Sequence, residues 1–340
     1  MSKIRLGGIK VVENRAYLYS SCQGGVDLLG NICSVLAAGR MNMGLLTHVG
    51  DNGLGESITA ASAKSALSFS GYILQAAGSV ECKTPEVQSD VSRISVFPHD
   101  QRPEITAAAI TTLSDAGIKP FGFGSSPSAV TVVVSSSDFE VAMESFFDSF
   151  AFPACESYSK WQAVYRMDEH QLMEVKCSYS EDIITVYGFS RQTGLELWNA
   201  SLPIESTGSL GAFLSELSEL GFKLPFLISN SAPGEKVVHF SFALEEDRSA
   251  IAGQAFNKHL PGGDCRRKGP VAALFLHGPH FGDRYGIAET FVTALRKGGI
   301  QLLALSCAVS SISAIIAGSD PDKAIEVLSS RFQTPGEDRR

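Results

Sequence analysis

The stretch that decides the fold runs from Val271 to Leu328 and reads VAALFLHGPHFGDRYGIAETFVTALRKGGIQLLALSCAVSSISAIIAGSDPDKAIEVL. It opens with a β-rich run, Val271–His277, and passes through a polar, glycine-containing turn. Apolar residues at helical spacing follow between Ile287 and Arg296. The pair Gly298–Gly299 ends the predicted helix, as glycine does at C-terminal caps.

Two further strands and a second helix complete this unit. The segments Ile300–Ser306 and Ile312–Ala317 predict strands. A second helix is predicted to begin at Asp320, with Asp320 as its N-cap and Pro321 at its first position. The order is therefore β-α-β-β-α, and a final strand is expected either after Phe332 or from an earlier part of the chain.

The unit is one of four, because the chain contains an internal repeat. Ala116–Ile118 matches Gly298–Ile300 and Ser137–Asp138 matches Ser319–Asp320, at a nearly constant spacing of about 180 residues. Each half divides again into two units with the same order of strands and helices. The sequence predicts modules over residues 1–80, 91–151, 181–260 and 269–334.

The predicted fold class is α+β: four ferredoxin-like βαββαβ modules, formed by duplication of a tandem pair, with antiparallel sheets and helices on one face. In the first module Asp51–Gly53 predicts a hairpin turn and Ser65–Ala76 a helix. The polar segment Glu81–Asp90 and the Gly- and Arg-rich segment Pro261–Gly269 are predicted linkers, and 152–180 joins the halves.

Composition limits the classes of function. The 340 residues are 44% hydrophobic and 19% charged, with a net charge of −8, which disfavours nucleic acid as a partner. Seven cysteines without a Cys-x-x-Cys pair, and no signal peptide, predict a cytoplasmic protein. The serine-containing segment Gln301–Gly318 fits two strands better than a membrane helix, so we expect no membrane association.

Part of the sequence resembles the regulatory ACT domains of aspartokinases. Four segments of the last unit and the lead-in to the first unit carry the resemblance: Ala272–Leu276, Tyr285–Ala288, Ala294–Ile300, Ser306 with Ser310–Ser313, and Gly8–Ala16. The match is good in the fourth unit, fair in the first two and weak in the third. It implies four ACT modules that bind small molecules.

The resemblance also implies what the protein does not do. An aspartokinase has a long catalytic domain ahead of its ACT pair, whereas here the ACT-like sequence begins close to the first residue. The expectation is an amino-acid-binding regulatory or sensor protein that is not an enzyme and needs no cofactor or metal. The alternative is a ligand-free regulatory or structural subunit that binds an aspartokinase-like or other biosynthetic enzyme. A monomer that acts as a pseudo-dimer and a homodimer both remain open.

The predicted ligand site of the fourth unit lies where its first strand turns into its first helix. A helix N-terminus carries unpaired N–H groups and partial positive charge, which suit a carboxylate. The amides of Gly286 and Ile287 would hold that carboxylate, and Asp283 would pair with an ammonium group. Gly282, Tyr285 and Ser306 complete the predicted site. Alternatively, Gly286 only relieves a tight turn and Asp283 caps the helix.

The turns of the other units are weaker candidates. The first unit offers a similar turn, formed by Gln23, Gly24, Gly25, Val26 and Asp27. In the second unit, Pro103 lacks an N–H donor and Glu104 brings negative charge to the point where a carboxylate would bind. That unit is expected to contribute Ser125 and Ser126 to a pocket that another unit completes.

Overall fold

The computed structural model describes residues 3–20, 28–40, 43–50, 56–60, 86–172, 184–278, 281, 284–308 and 310–334. Their strands are β1 (Ile4–Arg5), β2 (Gly8–Ser20), β3 (Met43–Val49), β4 (Glu56–Ala60), β5 (Glu86–Phe97), β6 (Gly122–Ser125), β7 (Val130–Ser135), β8 (Phe150–Ala151), β9 (Ile184–Thr185), β10 (Gly188–Pro203), β11 (Phe226–Asn230), β12 (Val237–Glu245), β13 (Asp264–His277), β14 (Leu302–Ala308), β15 (Ser311–Ala317) and β16 (Phe332–Gln333). Their helices are α1 (Leu28–Ala38), α2 (Pro103–Asp115), α3 (Phe139–Ser149), α4 (Tyr158–Leu172), α5 (Thr207–Glu219), α6 (Ser249–His259), α7 (Ile287–Lys297) and α8 (Pro321–Ser329).

Four long strands, β2, β5, β10 and β13, each take part in two groups of strands. The end of β2 (Tyr17–Tyr19) pairs with the start of β5, and the start of β2 (Gly8–Val12) pairs with the end of β5. The neighbours of this pair are β4 and β3 on one side, and β7 and β6 on the other. The pair β10–β13 repeats the arrangement in the second half of the chain, with β12 and β11 on one side and β15 and β14 on the other.

A bulge divides each of these long pairs in the middle. The register of β2 against β5 shifts between Val12 and Arg15, where Asn14 has a φ of 54°. The register of β10 against β13 shifts after Gln192, where Gly194 has a φ of 69°. An extra residue in one strand bends it and increases its twist. Each long strand can therefore pair with two groups of neighbouring strands that have different orientations.

Two antiparallel joints connect the halves and close twelve of the strands into one curled sheet. At one joint, Leu45–Val49 of β3 pairs with Ala304–Ala308 of β14. At the other, Gly122–Gly124 of β6 pairs with Ile228–Asn230 of β11. The joints cover strands that would otherwise present unpaired backbone groups to solvent. Outside this sheet, β1 pairs with β8 and β9 with β16 in short parallel contacts.

Helices pack on the outer side of the sheet, and apolar residues fill the space on both sides. One outer core lies around α2 and α5 and contains Phe213 and Phe242, both fully buried. A second lies around α1 and α7 and contains Phe291. Leu197 and Ile228 belong to a third cluster, on the opposite side of the same strands. The closed sheet thus holds α1 beside α7 and α2 beside α5.

The structure confirms most local elements and overturns two of the predicted linkers. Residues 86–90 and 264–269 are strand, because the first parts of β5 and β13 pair with the ends of β2 and β10. The final strand of the fourth unit comes from the start of β10, as one of the two expectations had it. Asp320 is the N-cap residue of α8, but its side chain makes no capping hydrogen bond.

Some predictions fall on residues that the structure does not describe. The predicted hairpin turn Asp51–Gly53 and helix Ser65–Ala76 lie outside the described residues. Within the described part of the chain, no helix is long and apolar enough to cross a membrane. The same residues contain no group of three or more His, Cys, Asp or Glu side chains arranged to hold a metal ion.

Candidate functional site

A cavity lies at the joint between the two halves, where α1 of the first half faces the start of α7. It contains about 480 Å³ of space, part of it open to solvent. Helix α1, the segment before α7, the first turn of α7, and the β14–β15 hairpin supply its walls. The described lining residues are Cys33, Leu36, Ala37, Phe281, Arg284, Tyr285, Gly286, Ile287, Ala288, Glu289, Cys307, Ala308, Ser311 and Ile312.

The N-terminus of α7 opens on this cavity. Gly286 is its N-cap residue, with a φ of 84°, and as a glycine it has no side chain to cap the helix. The carbonyl of Gly286 accepts the first hydrogen bond of the helix from the N–H of Thr290 at 2.9 Å. The preceding N–H groups of the first turn have no partner within the helix, and they carry its partial positive charge. This end of α7 therefore suits a carboxylate or another small anion.

Among the described residues that line the cavity, one side chain is positively charged and one is negatively charged. Arg284, which is only 7% exposed, lies just before α7, and Glu289 lies in its first turn. Glu289 accepts a hydrogen bond from the hydroxyl of Thr293 at 3.0 Å, which fixes its carboxylate one turn along the helix. A ligand with a negative and a positive group could contact the helix N-terminus and Glu289 together.

The remaining wall is apolar and includes two thiols. Cys33 of α1 is buried, and neither Cys33 nor Cys307 of β14 forms a disulfide bond. Burial raises the pKa of Cys307, so its thiol is neutral. Leu36 and Ile287 are buried beside them. The wall can contact an aliphatic side chain but offers it no second charge.

A chain of serine hydroxyls connects the cavity to the second unit. Ser311 lines the cavity, and its hydroxyl lies 2.9 Å from that of Ser126 and 2.8 Å from that of Ser128. Ser126 and Ser128 are themselves 2.9 Å apart. Ser126 therefore stands one hydrogen bond behind the cavity wall and joins it to the turn after β6.

Ser306 and Ser125 are fully buried but are not among the described residues that line the cavity. Ser306 pairs with Thr47 and Ser313 on its two neighbouring strands, and an added Cβ at Gly124 would come within 3.1 Å of its hydroxyl. It therefore faces the inside of the closed sheet. Strand alternation places the next residue, Cys307, at the cavity instead.

The described residues account for only part of the predicted site. Tyr285, Gly286 and Ile287 line the cavity together. Gly282 and Asp283, and the whole first-unit turn from Gln23 to Asp27, lie outside the described residues. Sequence reasoning missed Arg284 and Glu289, although both flank the predicted glycine. It also missed Cys33, Leu36 and Ala37, for which no local signal exists because they reach the cavity only through the pairing of the halves.

The turn of the second unit is held by its own side chains and by one serine from the second half of the chain. The carboxylate of Glu104 accepts hydrogen bonds from Arg102 Nε at 2.7 Å and from the hydroxyl of Ser218 at 2.8 Å. The buried imidazole of His99 contacts the Ser126 carbonyl oxygen at 3.0 Å and the Thr106 hydroxyl at 3.1 Å. These contacts pair the two charged groups of the turn with each other and fix the turn.

The closed sheet, the external helices and the cavity define a mixed α/β protein with an aspartate-kinase-like fold. The chain is similar to the crystal structure of aspartate kinase from Synechocystis, with a TM-score of 0.76 and 15% identity. The similarity covers 96% of this chain and 56% of that one, so the chain spans just over half the length of that kinase. At this identity the likeness concerns the fold alone.

A regulatory subunit of aspartate kinase from Thermus thermophilus, in its ligand-free form, is 17% identical over 44% of this chain and 99% of its own, with a TM-score of 0.37. No family model matches the chain, and no curated protein matches it.

Proposed function

We propose that the protein is a non-catalytic regulatory protein that binds a free amino acid in the cavity between α1 and α7. In this proposal the chain consists of four ACT-type modules, arranged as two tandem pairs. The strand orders β3-β4-β2-β5 and β6-β7-β5-β2, with their counterparts around β10 and β13, support this division. Each order places the first strand of a βαββαβ unit at the centre of its four strands, as in a ferredoxin-like sheet.

The observation that carries the proposal is the N-terminus of α7, which begins at a glycine and faces a cavity that also contains Arg284 and Glu289. The α-carboxylate of the ligand would accept hydrogen bonds from the first-turn amides of α7, with Arg284 adding positive charge. Its ammonium group would pair with Glu289. Charged hydrogen bonds of this type are stronger than neutral ones, so the common part of every amino acid is recognised here.

Regulation would follow from the position of the cavity. Its walls come from α1 in the first half and from α7 and β14 in the second, so a ligand contacts both halves at once. A ligand shifts a conformational equilibrium only by the difference in its affinity for the two states. A ligand held between α1 and α7 would favour the state in which these helices are closest.

A thermal-shift screen against the common amino acids, followed by calorimetry on any positive, tests the proposal. A ligand at 100 times its dissociation constant should add about 2.7 kcal/mol to the free energy of unfolding. Glu289→Gln should weaken binding by about 10- to 100-fold, which corresponds to loss of one charged hydrogen bond. Glu219→Gln, at an exposed position in the last turn of α5, is the control and should bind normally.

Two results would overturn the proposal. If no amino acid raises the unfolding temperature or gives a calorimetric signal, the cavity does not bind this class of ligand. If an amino acid binds but Glu289→Gln and Glu219→Gln behave alike, the ligand binds elsewhere on the protein.

A further inference from the structure

Two arginine side chains lie together on the inner face of the closed sheet, and neither is among the described residues that line the cavity. In the β2–β5 ladder, Arg15 is opposite Val91 and Arg93 is opposite Val12. Val91 and Val133, the β7 partner of Arg93, both belong to the buried cluster on the inner side. Cross-strand partners share one face of a sheet, so Arg15 and Arg93 are diagonal neighbours within reach of each other.

The guanidinium of Arg93 crosses the inner space to the start of β3. A Cβ added to Gly44 would lie 1.8 Å from Nη1 and 2.6 Å from Cζ of Arg93. Any other residue at position 44 would displace this guanidinium, so the absence of a side chain there allows Arg93 its present position. Arg93 is only partly exposed, and its planar group is held against the backbone rather than extended into solvent.

Within the part of the chain that the structure describes, neither arginine has a carboxylate partner. The structure shows no hydrogen bond or ion pair of Arg93 within the described residues. Arg15 donates one long bond, 3.4 Å, to the carbonyl of Asn14. Burial and the adjacent charge of Arg15 lower the pKa of Arg93 to about 10. Burial also lowers the pKa of Arg15, and this effect is larger than that of Tyr165, which raises the pKa.

Other arginines in the described chain show how such charges are normally satisfied. Arg102 pairs with Glu104 at 2.7 Å, and Arg191 pairs with Asp322. Arg248 donates a 2.6 Å hydrogen bond to the carbonyl of Leu220. Arg15 and Arg93 differ from these arginines, because their guanidinium groups are partly buried, repel each other and have no anion beside them within the described residues. A bound anion would remove the repulsion.

We propose that Arg15 and Arg93 form a binding site for an oxyanion of the phosphate type, independent of the amino-acid cavity. Guanidinium groups bind such anions through pairs of parallel N–H···O bonds, and a phosphate group presents oxygens to both at once. A phosphate group carries a charge of about −1.5 to −2 at neutral pH, which matches two guanidinium charges better than a carboxylate does.

The test is calorimetric titration with inorganic phosphate at constant ionic strength, with acetate and chloride as comparison anions. Phosphate should bind, acetate should bind at least about tenfold more weakly, and chloride should give no signal at the same concentration. Arg93→Met should weaken phosphate binding by about tenfold or more, as expected for a lost charged hydrogen bond. Arg266→Met, at an exposed position of β13, is the matched control and should leave binding unchanged.

Arg15→Gln gives an independent variant if Arg93→Met does not fold, and it should weaken phosphate binding in the same direction. Equal binding of phosphate and acetate would refute the phosphate class. Absence of phosphate binding to the unmodified protein, or equal effects of Arg93→Met and Arg266→Met, would refute the site. Amino-acid binding should be the same in all these variants, so failure here is separable from failure of the cavity proposal.

Discussion

Replacing Gly286 with alanine tests whether the N-terminus of α7 binds the carboxylate in the proposed amino-acid site. Gly286 has a φ of 84°, in the left-handed region. Among the described residues, an added methyl would meet only Ala37 Cβ, at the ordinary contact distance of 3.9 Å. The cost is therefore backbone strain rather than collision, about 1–2 kcal/mol for a residue with a Cβ in this conformation. Relief of that strain would rotate the peptide that leads into α7 and turn the Ile287 amide away from the cavity.

Gly299 provides a matched control at the other end of the same helix. Its φ is 69°, and an added Cβ would have only Lys323 Nζ nearby, at 3.9 Å. In urea unfolding, Gly286→Ala and Gly299→Ala should each lower the free energy of unfolding by about 1 kcal/mol. In calorimetry, only Gly286→Ala should weaken the binding of the amino acid identified in the screen, by about tenfold for each 1.4 kcal/mol of binding energy lost.

Two outcomes would refute this reasoning. If Gly286→Ala is as stable as the unmodified protein, the left-handed conformation does not hold and the geometry of the α7 N-terminus is wrong. If Gly286→Ala and Gly299→Ala weaken binding equally, the effect comes from general destabilisation and not from the helix amides.

Three further changes test other parts of the structure. Burial lowers the pKa of His99 from 6.5 to about 4, so the unfolded chain binds more protons than the folded chain between these pH values. The free energy of unfolding should therefore fall by about 3 kcal/mol as the pH drops from 6.5 to 4. In urea unfolding at a series of pH values, His99→Gln should flatten that dependence. Arg267→Ala removes a guanidinium that lies 3.8 Å from the centre of the Trp198 ring and should cost about 0.5–1 kcal/mol in urea unfolding, with a shift in tryptophan fluorescence that an unstacked pair would not show. Gly211→Ala places a Cβ 2.3 Å from Thr111 Oγ1 and should cost about 1–3 kcal/mol through overpacking of α5 against α2; a neutral result in thermal unfolding would show that these helices are not in close contact.

The local elements of the fold could be predicted from sequence because their signals are local. Gly299 was predicted to end a helix, and it has a left-handed φ just after α7, as Gly117 and Gly221 have after α2 and α5. The first parts of β5 and β13 gave no such signal. Their residues are mostly exposed, so they lack the alternating apolar pattern of a half-buried strand, and their partners are distant in sequence. A strand of this kind has the composition of a linker.

The candidate site also has one part that the sequence predicts and one part that it does not. The turn at Gly286 could be predicted because a glycine before a helix is visible in the sequence. The opposite wall, including Cys33, could not be predicted, because it depends on the pairing of β3 with β14. The prediction for Ser306 chose the correct strand, β14, but the wrong face of it: Cys307 lines the cavity and Ser306 faces the inside of the sheet. A shift of one residue exchanges the two faces of a strand, and the sequence does not fix which face meets the cavity.

The pairing of β3 with β14 also explains why this joint is suited to respond to a ligand. The ladder from Ala304 to Ala308 holds α1 of the first half beside α7 of the second, and the β6–β11 joint closes the sheet on the other side. The cavity lies between these two helices. The hydroxyl of Ser311 then connects the cavity wall to Ser126 of the second unit. In the proposed division into four units, a ligand in the cavity would therefore contact two units directly and a third through Ser311 and Ser126.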